Sequence, residues 1–496
     1  MRSTRSFSPL RWISVLVILV ALALIVLQLI AYSRVRTNFP PGMKIASIPV
    51  GGLDRQETAQ RLLEFFTLPL EIHYGDATFQ LAPSTVGFEL DLESMLAAAD
   101  LERTQQSFWI GYWNYLWGLS ASQRNVPLRA KYSDQRLRSF LESEVATRYD
   151  KPPVPAKPAV GTVNFQAGSQ GTAMDTNQAV ILIEQALNST SPRKVTLPLK
   201  QTSPPRPSLQ NLQVLLQQTI DLSGYDGITG LYMLDLQTLQ EIHFIYSQGK
   251  NLPTNPDLSF TAASIIKIPI MSSIYRRISD NPNPETIKLL QEMIIESGNA
   301  PADWLMQQVI SEERGPLEVT ADMQTLGLQD TFLAGYFYPG APLLVKYKTP
   351  GNTRTDITTD PDPYNQTSPS DIGSLLADIY ECAENGGGSL IAAFPNEITQ
   401  TECHTMISYL SMNPVAFMIK AGTPDGTQIA HKHGWVSDVF GVINVIQDAA
   451  IVFTPGGDYV LVILLHHPQQ LIWEPSAKLV ADLSRAIYNY YNIPQP

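Results

Sequence analysis

The sequence is poor in the residues that build metal sites and disulfide frameworks. Among its 496 residues only two are cysteines, Cys382 and Cys403, and their separation of 21 residues is not the spacing of a C-x-x-C pair. This spacing argues against a zinc ribbon and against a disulfide-dense scaffold. The two cysteines either pair in an oxidising compartment or remain as two buried thiols.

Positive charge is also in deficit. The chain has 34 Lys and Arg residues against 46 Asp and Glu residues, which gives a net charge of −12. Such a chain repels a phosphate backbone, and the sequence has no basic stripe with interleaved aromatic residues. We therefore expect no nucleic acid partner.

Charge is missing altogether from one long run near the N-terminus. No charged residue occurs from Trp12 to Ser33. A helix of this length crosses the roughly 30 Å hydrocarbon core of a bilayer. We predict a single-pass membrane anchor over 12–33 after a cytoplasmic tail of residues 1–11. Cleavage as a signal peptide after the A-x-S at 31–33 is the alternative.

Between the anchor and residue 206 the sequence predicts two small α+β modules, over 40–150 and 151–206. Asp54 precedes one amphipathic run, and GFELD at 87–91 and GTAMD at 171–175 each precede another, so an aspartate N-cap is expected at every helix start. The short β-rich runs at 71–74 and 77–81 are joined by Gly-Asp, which predicts a hairpin. Pro-rich stretches at 151–161 and 202–208 are typical of stiff spacers.

The order of VGGL, amphipathic helix, strand pair and G-x-x-x-D helix resembles the peptidoglycan-binding modules of Gram-positive-type envelope proteins. The resemblance covers about 165 residues and implies peptidoglycan as a partner of the 40–206 region. A stalk that lifts the following domain off the membrane is the alternative interpretation of the same residues.

Residues 207–496 have the pattern of an α+β enzyme domain. Two β-rich runs, ITGLYMLDL and QEIHFIYS, form a predicted hairpin near its start, and two more, at 441–453 and 459–466, lie near its end. Helical patterns occupy the middle. We expect an antiparallel sheet flanked by helices, with a helical subdomain.

Ser264-Ile-Ile-Lys267 offers a nucleophile and a base. A serine hydroxyl is a weak nucleophile at neutral pH and needs an adjacent base for acyl transfer. Positions i and i+3 share a helix face, and the surrounding isoleucines favour a lowered pKa for the Lys267 amine. The same S-x-x-K spacing recurs at 191–194 and 247–250, but neither of those opens an apolar helix.

Two further elements follow in order. Ser297-Gly-Asn299 comes after an amphipathic run, and His431-Lys-His-Gly-Trp435 comes shortly before the last strand pair. These positions correspond to the S-D-N and K-T-G elements that accompany S-x-x-K in β-lactamases and penicillin-binding proteins. In this order the motifs make residues 209–493 similar to a class A β-lactamase catalytic domain, of the β-lactamase/DD-peptidase fold.

The resemblance implies a role for each matching residue. Ser264 would be the nucleophile and Lys267 its proton acceptor, Ser297 would pass a proton to the leaving nitrogen, and Lys432 would attract the substrate carboxylate. The substrate-binding residues would be Asn299, His433, Gly434 and Trp435, with the backbone N–H groups of Ser264 and Trp435 forming the oxyanion hole. The implied substrate is a β-lactam or the related peptidoglycan stem peptide, with no cofactor and no metal.

The sequence departs from the family pattern at several points. Gly298 replaces Asp, His433 replaces a hydroxyl residue, and the interval from Lys267 to Ser297 is short. Class A enzymes hydrolyse the acyl-enzyme with a loop Glu, and this chain has no Glu between Glu318 and Glu381. The loop carboxylates that could replace it are those of Asp356, Asp360 and Asp362. Acylation is therefore expected, whereas fast deacylation is not.

Two other functions compete with the serine hydrolase. A metallo-β-lactamase-like zinc site would need H-x-H followed by Asp, whereas His431-Lys-His433 is followed by Gly434 and Trp435. A non-catalytic or slow-turnover peptidoglycan-binding envelope protein remains the main alternative. The presence of Ser264, Lys267, Ser297 and Lys432 together argues against it.

Overall fold

The computed structural model describes residues 9–119, 124–159, 161–191, 193–255, 257–278, 282–438 and 440–494. The chain folds into two compact units, Met1–Pro153 with Gln170–Ser203, and Val154–Ser169 with Pro204–Pro496. We call them the N-terminal unit and the C-terminal unit. Residues 1–8 of the predicted cytoplasmic tail lie outside the described residues.

The N-terminal unit begins with a long helix and continues with short strands and helices. Its first segment contains α1 (Pro9–Val35), β1 (Met43–Ile45), β2 (Ile48–Pro49), α2 (Arg55–Phe66), β3 (Leu70–Tyr74), β4 (Ala77–Leu81), β5 (Glu89–Leu90), α3 (Leu92–Thr104), α4 (Phe108–Leu116), β6 (Arg124–Val126), β7 (Ala130–Lys131), α5 (Asp134–Phe140) and α6 (Thr147–Tyr149). A strand pair of the C-terminal unit then intervenes, β8 (Lys157–Pro158) and β9 (Phe165–Gln166). The N-terminal unit ends with β10 (Gly171–Met174), α7 (Thr176–Leu187), β11 (Lys194–Thr196) and β12 (Leu199–Thr202).

The C-terminal unit alternates strands and helices in the predicted order. It contains α8 (Leu209–Ser223), β13 (Ile228–Asp235), β14 (Glu241–Ser247), β15 (Lys250–Leu252), β16 (Phe260–Thr261), α9 (Lys267–Tyr275), α10 (Pro284–Ile294), α11 (Asn299–Leu305), α12 (Gly315–Thr325), β17 (Phe332–Leu333), β18 (Asn365–Thr367), α13 (Pro369–Asn385), α14 (Gly388–Ala393), α15 (Gln400–Ser411), β19 (Ile429–Ser437), β20 (Ile443–Val452), β21 (Tyr459–His466) and α16 (Trp473–Tyr491).

Helix α1 contains the uncharged run. Among the described residues, Trp12–Val35 is the one helical stretch long and apolar enough to cross a membrane by length and composition. Its side chains are largely exposed in the protein alone, as the absence of any buried residue in its most apolar window shows. The helix suits either a membrane span or a signal anchor.

Three helices of the N-terminal unit, α2, α3 and α7, begin where aspartates predict them. Asp54 and Glu57 form a reciprocal capping box at the start of α2. Asp91 and Asp175 cap α3 and α7 by accepting hydrogen bonds from backbone N–H groups. Strands β3 and β4 form the expected antiparallel hairpin.

The two predicted modules of this unit are interleaved. Buried side chains from Phe39 to Leu197 belong to one hydrophobic core, and β11 pairs in parallel with β3. Residues from either side of position 150 therefore complete the same sheet and core. A functional separation into modules at 40–150 and 151–206 stays a prediction.

The sheet of the C-terminal unit is antiparallel and six-stranded, in the order β15-β14-β13-β21-β20-β19. Strand β21 shows why its sequence is apolar throughout. Val460, Val462 and Leu464 belong to the core on one face of the sheet, whereas Leu461 and Ile463 belong to the core on the other. Helices cover both faces, so alternating side chains of a central strand are all buried.

The predicted fold is confirmed for the C-terminal unit: an antiparallel sheet flanked by helices, with further helices between β16 and β19. Cys382 and Cys403 form a disulfide that joins α13 to α15, with Cα atoms 5.9 Å apart. The alternative of two free buried thiols is therefore wrong. The bond ties together two helices that pack in the core beneath α9.

Candidate active site

Ser264 lies in a 3₁₀ turn, residues 263–266, between β16 and α9. Every residue of α9 is buried, which fixes this turn against the core. Ala263 has φ of 48°, a left-handed conformation that non-glycine residues rarely adopt. Gly434 of β19 lies so close that a Cβ atom there would be 2.9 Å from the Ser264 backbone nitrogen. A glycine is needed at position 434 because the edge strand runs directly against the serine.

Lys267 directs its amine at three acceptors. Its Nζ atom lies 2.8 Å from Ser264 Oγ, 3.0 Å from the Ser297 carbonyl oxygen and 2.8 Å from Asn299 Oδ1. The two carbonyl-type oxygens can only accept, so they use two N–H groups of the amine. In the neutral amine the remaining tetrahedral position is a lone pair, and it faces the Ser264 hydroxyl. This geometry suits the removal of a proton from Ser264.

Burial prepares Lys267 for that role. Its side chain has no exposed surface, and loss of water lowers the pKa of Lys267 from 10.5 to about 8. The carboxylate of Asp303 opposes this shift by favouring the ammonium form. A substantial fraction of Lys267 is therefore neutral close to neutral pH, and the neutral amine can accept a proton.

Ser297 lies between the two lysines. Lys432 donates to Ser297 Oγ at 2.9 Å, and Lys267 Nζ is 3.5 Å from the same oxygen. Ser297 adopts φ of 62°, so the second predicted element also has a strained backbone beside the nucleophile. Burial and repulsion by Lys267 lower the pKa of Lys432 to about 7. A proton can pass along this chain of three side chains.

The structure brings together five of the residues predicted from the motifs: Ser264, Lys267, Ser297, Asn299 and Lys432. Asn299 was expected to hold the substrate, and here its Oδ1 accepts from Lys267 while its Nδ2 is not part of that contact. The roles of these residues stay predictions, but their convergence is a property of the fold.

His433 and Trp435 lie on the other face of β19 from Lys432, because side chains alternate along a strand. His433 is buried, with Nδ1 3.2 Å from the Asn413 amide, and its ring stacks on Trp435 at 5.1 Å. Burial lowers the pKa of His433 to about 3, so the imidazole is neutral. The structure thus places His433 as a support for β19 and Trp435 rather than within the side-chain cluster.

Two residues that the motifs did not indicate complete the cluster. The ring of Phe337 lies over Lys267, with Nζ 5.3 Å from its centroid, in cation–π contact. Asp303 accepts from the Phe337 backbone N–H at 2.8 Å and so holds this loop in place. Asp303 is four residues after Asn299 on α11, a spacing that puts both on one helix face and could have indicated it. No comparable pattern marks Phe337.

Two of the three loop carboxylates predicted from the sequence, those of Asp356 and Asp362, have partners elsewhere. Asp356 forms an ion pair with Arg354 at 2.6 Å, which lowers the pKa of Asp356 to about 2. Asp362 accepts from the backbone N–H of Tyr364, and its own N–H donates to Thr261. Among the hydrogen bonds and ion pairs of the described residues, none joins Asp356, Asp360 or Asp362 to Ser264 or Lys267.

Histidines near the site have structural partners. His431 Nδ1 is 3.0 Å from Asp448 Oδ1, and both side chains are buried. Within the described ranges, no group of three or more His, Cys, Asp and Glu residues is arranged to hold a metal ion. The hydrogen-bond partners of Ser264 Oγ and Ser297 Oγ are the amines of Lys267 and Lys432.

Part of the C-terminal unit is similar to known proteins. Residues 272–491 match the beta-lactamase enzyme family. No curated protein sequence matches the chain. Among solved structures, PBP-A is 20% identical, with a TM-score of 0.40 over 59% of this chain and 99% of its own. A beta-lactamase from Desulfarculus baarsii is 18% identical, with a TM-score of 0.40 over 57% and 98% of the two chains. TLA-1 extended-spectrum beta-lactamase is 13% identical, with a TM-score of 0.41 over 57% and 98%.

Proposed function

We propose that the C-terminal unit is a serine hydrolase that acts through a seryl acyl-enzyme on β-lactams or on the related peptidoglycan stem peptide. One observation supports this proposal: the amines of Lys267 and Lys432 contact the hydroxyl groups of Ser264 and Ser297 in one continuous hydrogen-bonded cluster. A serine with a buried amine as base is a recognised way to activate the hydroxyl. No cofactor is needed for this reaction.

The proton path follows from the contacts. Neutral Lys267 takes the proton of Ser264 as its Oγ attacks the acyl carbon, and the resulting ammonium lies next to Ser297 Oγ. When the C–N bond breaks, Ser297 donates its proton to the leaving nitrogen and regains one from Lys267. Backbone N–H groups of Ser264 and Trp435 would stabilise the negative oxygen of the tetrahedral intermediate.

Substrate binding is proposed for the residues around this path. Lys432 in its charged form would attract the carboxylate that both substrate types carry. Gly434 allows the edge strand to approach Ser264, so a substrate can extend along β19. Asn299 would hold the substrate's side-chain amide, Trp435 would act through its backbone N–H, and His433 would act through the position of Trp435.

Covalent labelling with a fluorescent penicillin tests the reaction class. Ser264→Ala should abolish labelling, because the nucleophile is lost. Ser247→Ala is the matched control, since Ser247 begins another S-x-x-K sequence on the hairpin of β14 and β15. Equal labelling of wild type and Ser264→Ala would overturn the proposal in favour of a non-catalytic envelope protein.

Deacylation should limit turnover. Hydrolysis of the ester needs a group that relieves a water molecule of its proton, worth roughly 10²–10⁴-fold. The side chain facing Lys267 from the loop after β17 is the ring of Phe337, which cannot do this. A chromogenic cephalosporin should therefore give a burst of one equivalent followed by a slow steady rate. A fast linear time course from the first turnover would contradict this expectation.

A gain-of-function variant sharpens the same point. Phe337→Glu places a carboxylate next to Lys267 on a loop already held by Asp303. The steady rate after the burst should rise by about 10²-fold, the low end of a general-base effect. Tyr338→Glu is the matched control because Tyr338 is the exposed neighbour on the same loop. An unchanged steady rate in both variants would show that the residue at position 337 does not limit deacylation.

We also propose that α1 anchors the protein in the cell membrane with residues 34–496 outside, and that the 40–206 region holds peptidoglycan or acts as a spacer. The apolar length of α1 supports the first part. Protease added to intact cells should digest the bulk of the chain, and full protection would reverse the topology. Failure of the full-length protein to sediment with cell-wall sacculi would leave only the spacer role.

A further inference from the structure

The α4 segment, residues 107–119, exposes more aromatic surface than a water-facing helix normally does. It contains no charged residue. Trp109, Trp113 and Trp117 are 69%, 59% and 66% exposed. Contiguous exposed apolar patches of this kind mark a contact with another protein or with a membrane.

The exposed residues form one side of the helix, and α1 covers another. Trp109, Trp113, Leu116 and Trp117 follow the i, i+4, i+7, i+8 spacing of a helix face. Trp113 and Trp117 also contact each other, with ring centroids 5.8 Å apart. The face toward α1 consists of Phe108, Gly111, Tyr112 and Tyr115. The tryptophan side chains therefore stay exposed although α4 packs against α1.

The contact with Tyr32 sets the position along α1 at which α4 packs. The ring of Tyr32 lies 5.3–5.5 Å from the rings of Phe108, Tyr112 and Tyr115. A Cβ atom on Gly111 would be 2.1 Å from the Tyr32 hydroxyl oxygen, so a larger residue there would displace the Tyr32 side chain. Tyr32 is the second-last residue of the uncharged run. Helix α4 thus meets α1 at the level where the apolar run ends.

Two further contacts show that α4 lies beside both the charged end and the apolar body of α1. The Arg36 guanidinium lies 4.9 Å from the centre of the Phe108 ring, just past the uncharged run. On the apolar side, the Tyr112 hydroxyl donates to the Ile25 carbonyl at 2.9 Å, seven residues further into α1. The segment therefore bridges the charged end of α1 and its apolar body.

We propose that the α4 segment lies in the membrane interface, with Trp109, Trp113 and Trp117 among the lipids of the leaflet that α1 leaves at Val35. The proposal rests on the anchoring role of α1. Lipid is the occupant because the exposed face continues the apolar surface of α1 and because Trp and Tyr are the residues that favour this depth. The lack of charge points to contact with lipid chains rather than with anionic headgroups.

This second contact has a mechanical consequence. A single spanning helix leaves the attached unit free to rotate and tilt about its axis. A second attachment through α4 restricts that rotation and holds the N-terminal unit at a defined orientation to the bilayer. The tryptophans then serve as interface anchors in the way that aromatic belts do for spanning helices.

Fluorescence of the full-length protein in phosphatidylcholine vesicles tests the proposal. Lipids brominated on their chains quench tryptophans that contact them. Of the seven tryptophans in the chain, we expect quenching of Trp12, Trp109, Trp113 and Trp117. Replacing the three α4 tryptophans by Phe should lower the lipid-quenchable emission about four-fold, because one of four interfacial emitters remains. The matched triple variant, Trp304, Trp435 and Trp473→Phe, should leave it unchanged.

The other outcomes are distinct. Aqueous iodide that quenches the α4 tryptophans while bromolipid does not would place α4 in water and overturn the proposal. Shielding from both quenchers would show that protein covers α4, which also overturns it. Trp12→Phe reports separately on α1: if its removal leaves lipid quenching unaffected, the membrane anchor itself fails.

Discussion

The two units of the molecule place their ionisable groups differently. In the C-terminal unit, Lys267, Asp303 and Lys432 are buried within one connected cluster. In the described part of the N-terminal unit, the buried polar side chain is Thr58, and ion pairs such as Arg55–Glu93 lie at the surface. Water screens such exposed pairs, so they contribute little to stability.

The difference indicates where chemistry is possible. Burial of the Lys267 and Lys432 amines lowers the stability of the fold, because the amines lose their hydration. Hydrophobic side chains of similar volume would fill the same space without that loss. Perturbed pKa values of this kind are typical of functional sites. In the described part of the N-terminal unit no lysine, aspartate or glutamate side chain is buried, and we propose that this unit acts as a scaffold. Variants in the two units should therefore fail in different ways.

Loss of the base should give the largest effect. Lys267→Ala removes the amine that faces Ser264 Oγ at 2.8 Å, and we expect acylation to slow by roughly 10²–10⁴-fold. The second-order rate constant of penicillin labelling measures this. Lys250→Ala, in the exposed S-x-x-K sequence at 247–250, should label like wild type. A similar loss in both variants would indicate a general effect of charge rather than a base.

The pH dependence of acylation should show a depressed lysine pKa. Below the Lys267 pKa of about 8 the amine is protonated, so the labelling rate should fall about tenfold per pH unit. At higher pH Lys432, whose pKa is about 7, loses the charge that attracts the substrate carboxylate, so the rate should pass through a maximum near these two pKa values. A base of ordinary lysine pKa would place that maximum at higher pH. Asp303→Asn removes a charge that favours the ammonium, so the midpoint should move to lower pH. A midpoint that rises in this variant would contradict the assignment.

The ordered motifs predicted the cluster well because they depend on local spacing. The i, i+3 pair Ser264 and Lys267, the turn at Ser297 and the strand with Lys432 each follow from a helix or strand period. The period of the strand also predicts that His433 points away from Lys432, since adjacent strand residues face opposite sides. A substrate-binding role for His433 stays a prediction.

Other features depend on tertiary contacts that no local pattern encodes. Phe337 reaches Lys267 from an irregular loop, held there by Asp303 from a different helix. Strand β11 joins β3 across more than one hundred residues, so the predicted modules could not be seen to share a core. Pairing of Cys382 with Cys403 depended on the packing of α13 against α15.

Removing the disulfide should lower the stability of the C-terminal unit without changing the reactivity of Ser264. Replacing both Cys382 and Cys403 by Ser frees a loop of 21 residues in the unfolded chain, which should lower the free energy of unfolding by about 3 kcal/mol. Thermal unfolding should show a decrease of several degrees, while labelling of Ser264 in the folded protein persists. A reducing agent should destabilise wild type and leave the double variant unaffected. Loss of labelling below the unfolding transition would link the disulfide to the site.

The smallest effect is expected in the N-terminal unit. Asp54→Ala removes one half of the capping box of α2, and a lost N-cap typically costs about 1 kcal/mol. Amide hydrogen exchange in α2 should become roughly five-fold faster, since local opening follows that free energy. Asp76→Ala is the matched control, because Asp76 is an exposed aspartate in the hairpin turn whose ion pair with Lys151 is 3.9 Å long. Penicillin labelling should be the same in both variants and in wild type. If Asp54→Ala instead slowed labelling, the N-terminal unit would contribute to the reaction, and its description as a scaffold would be wrong.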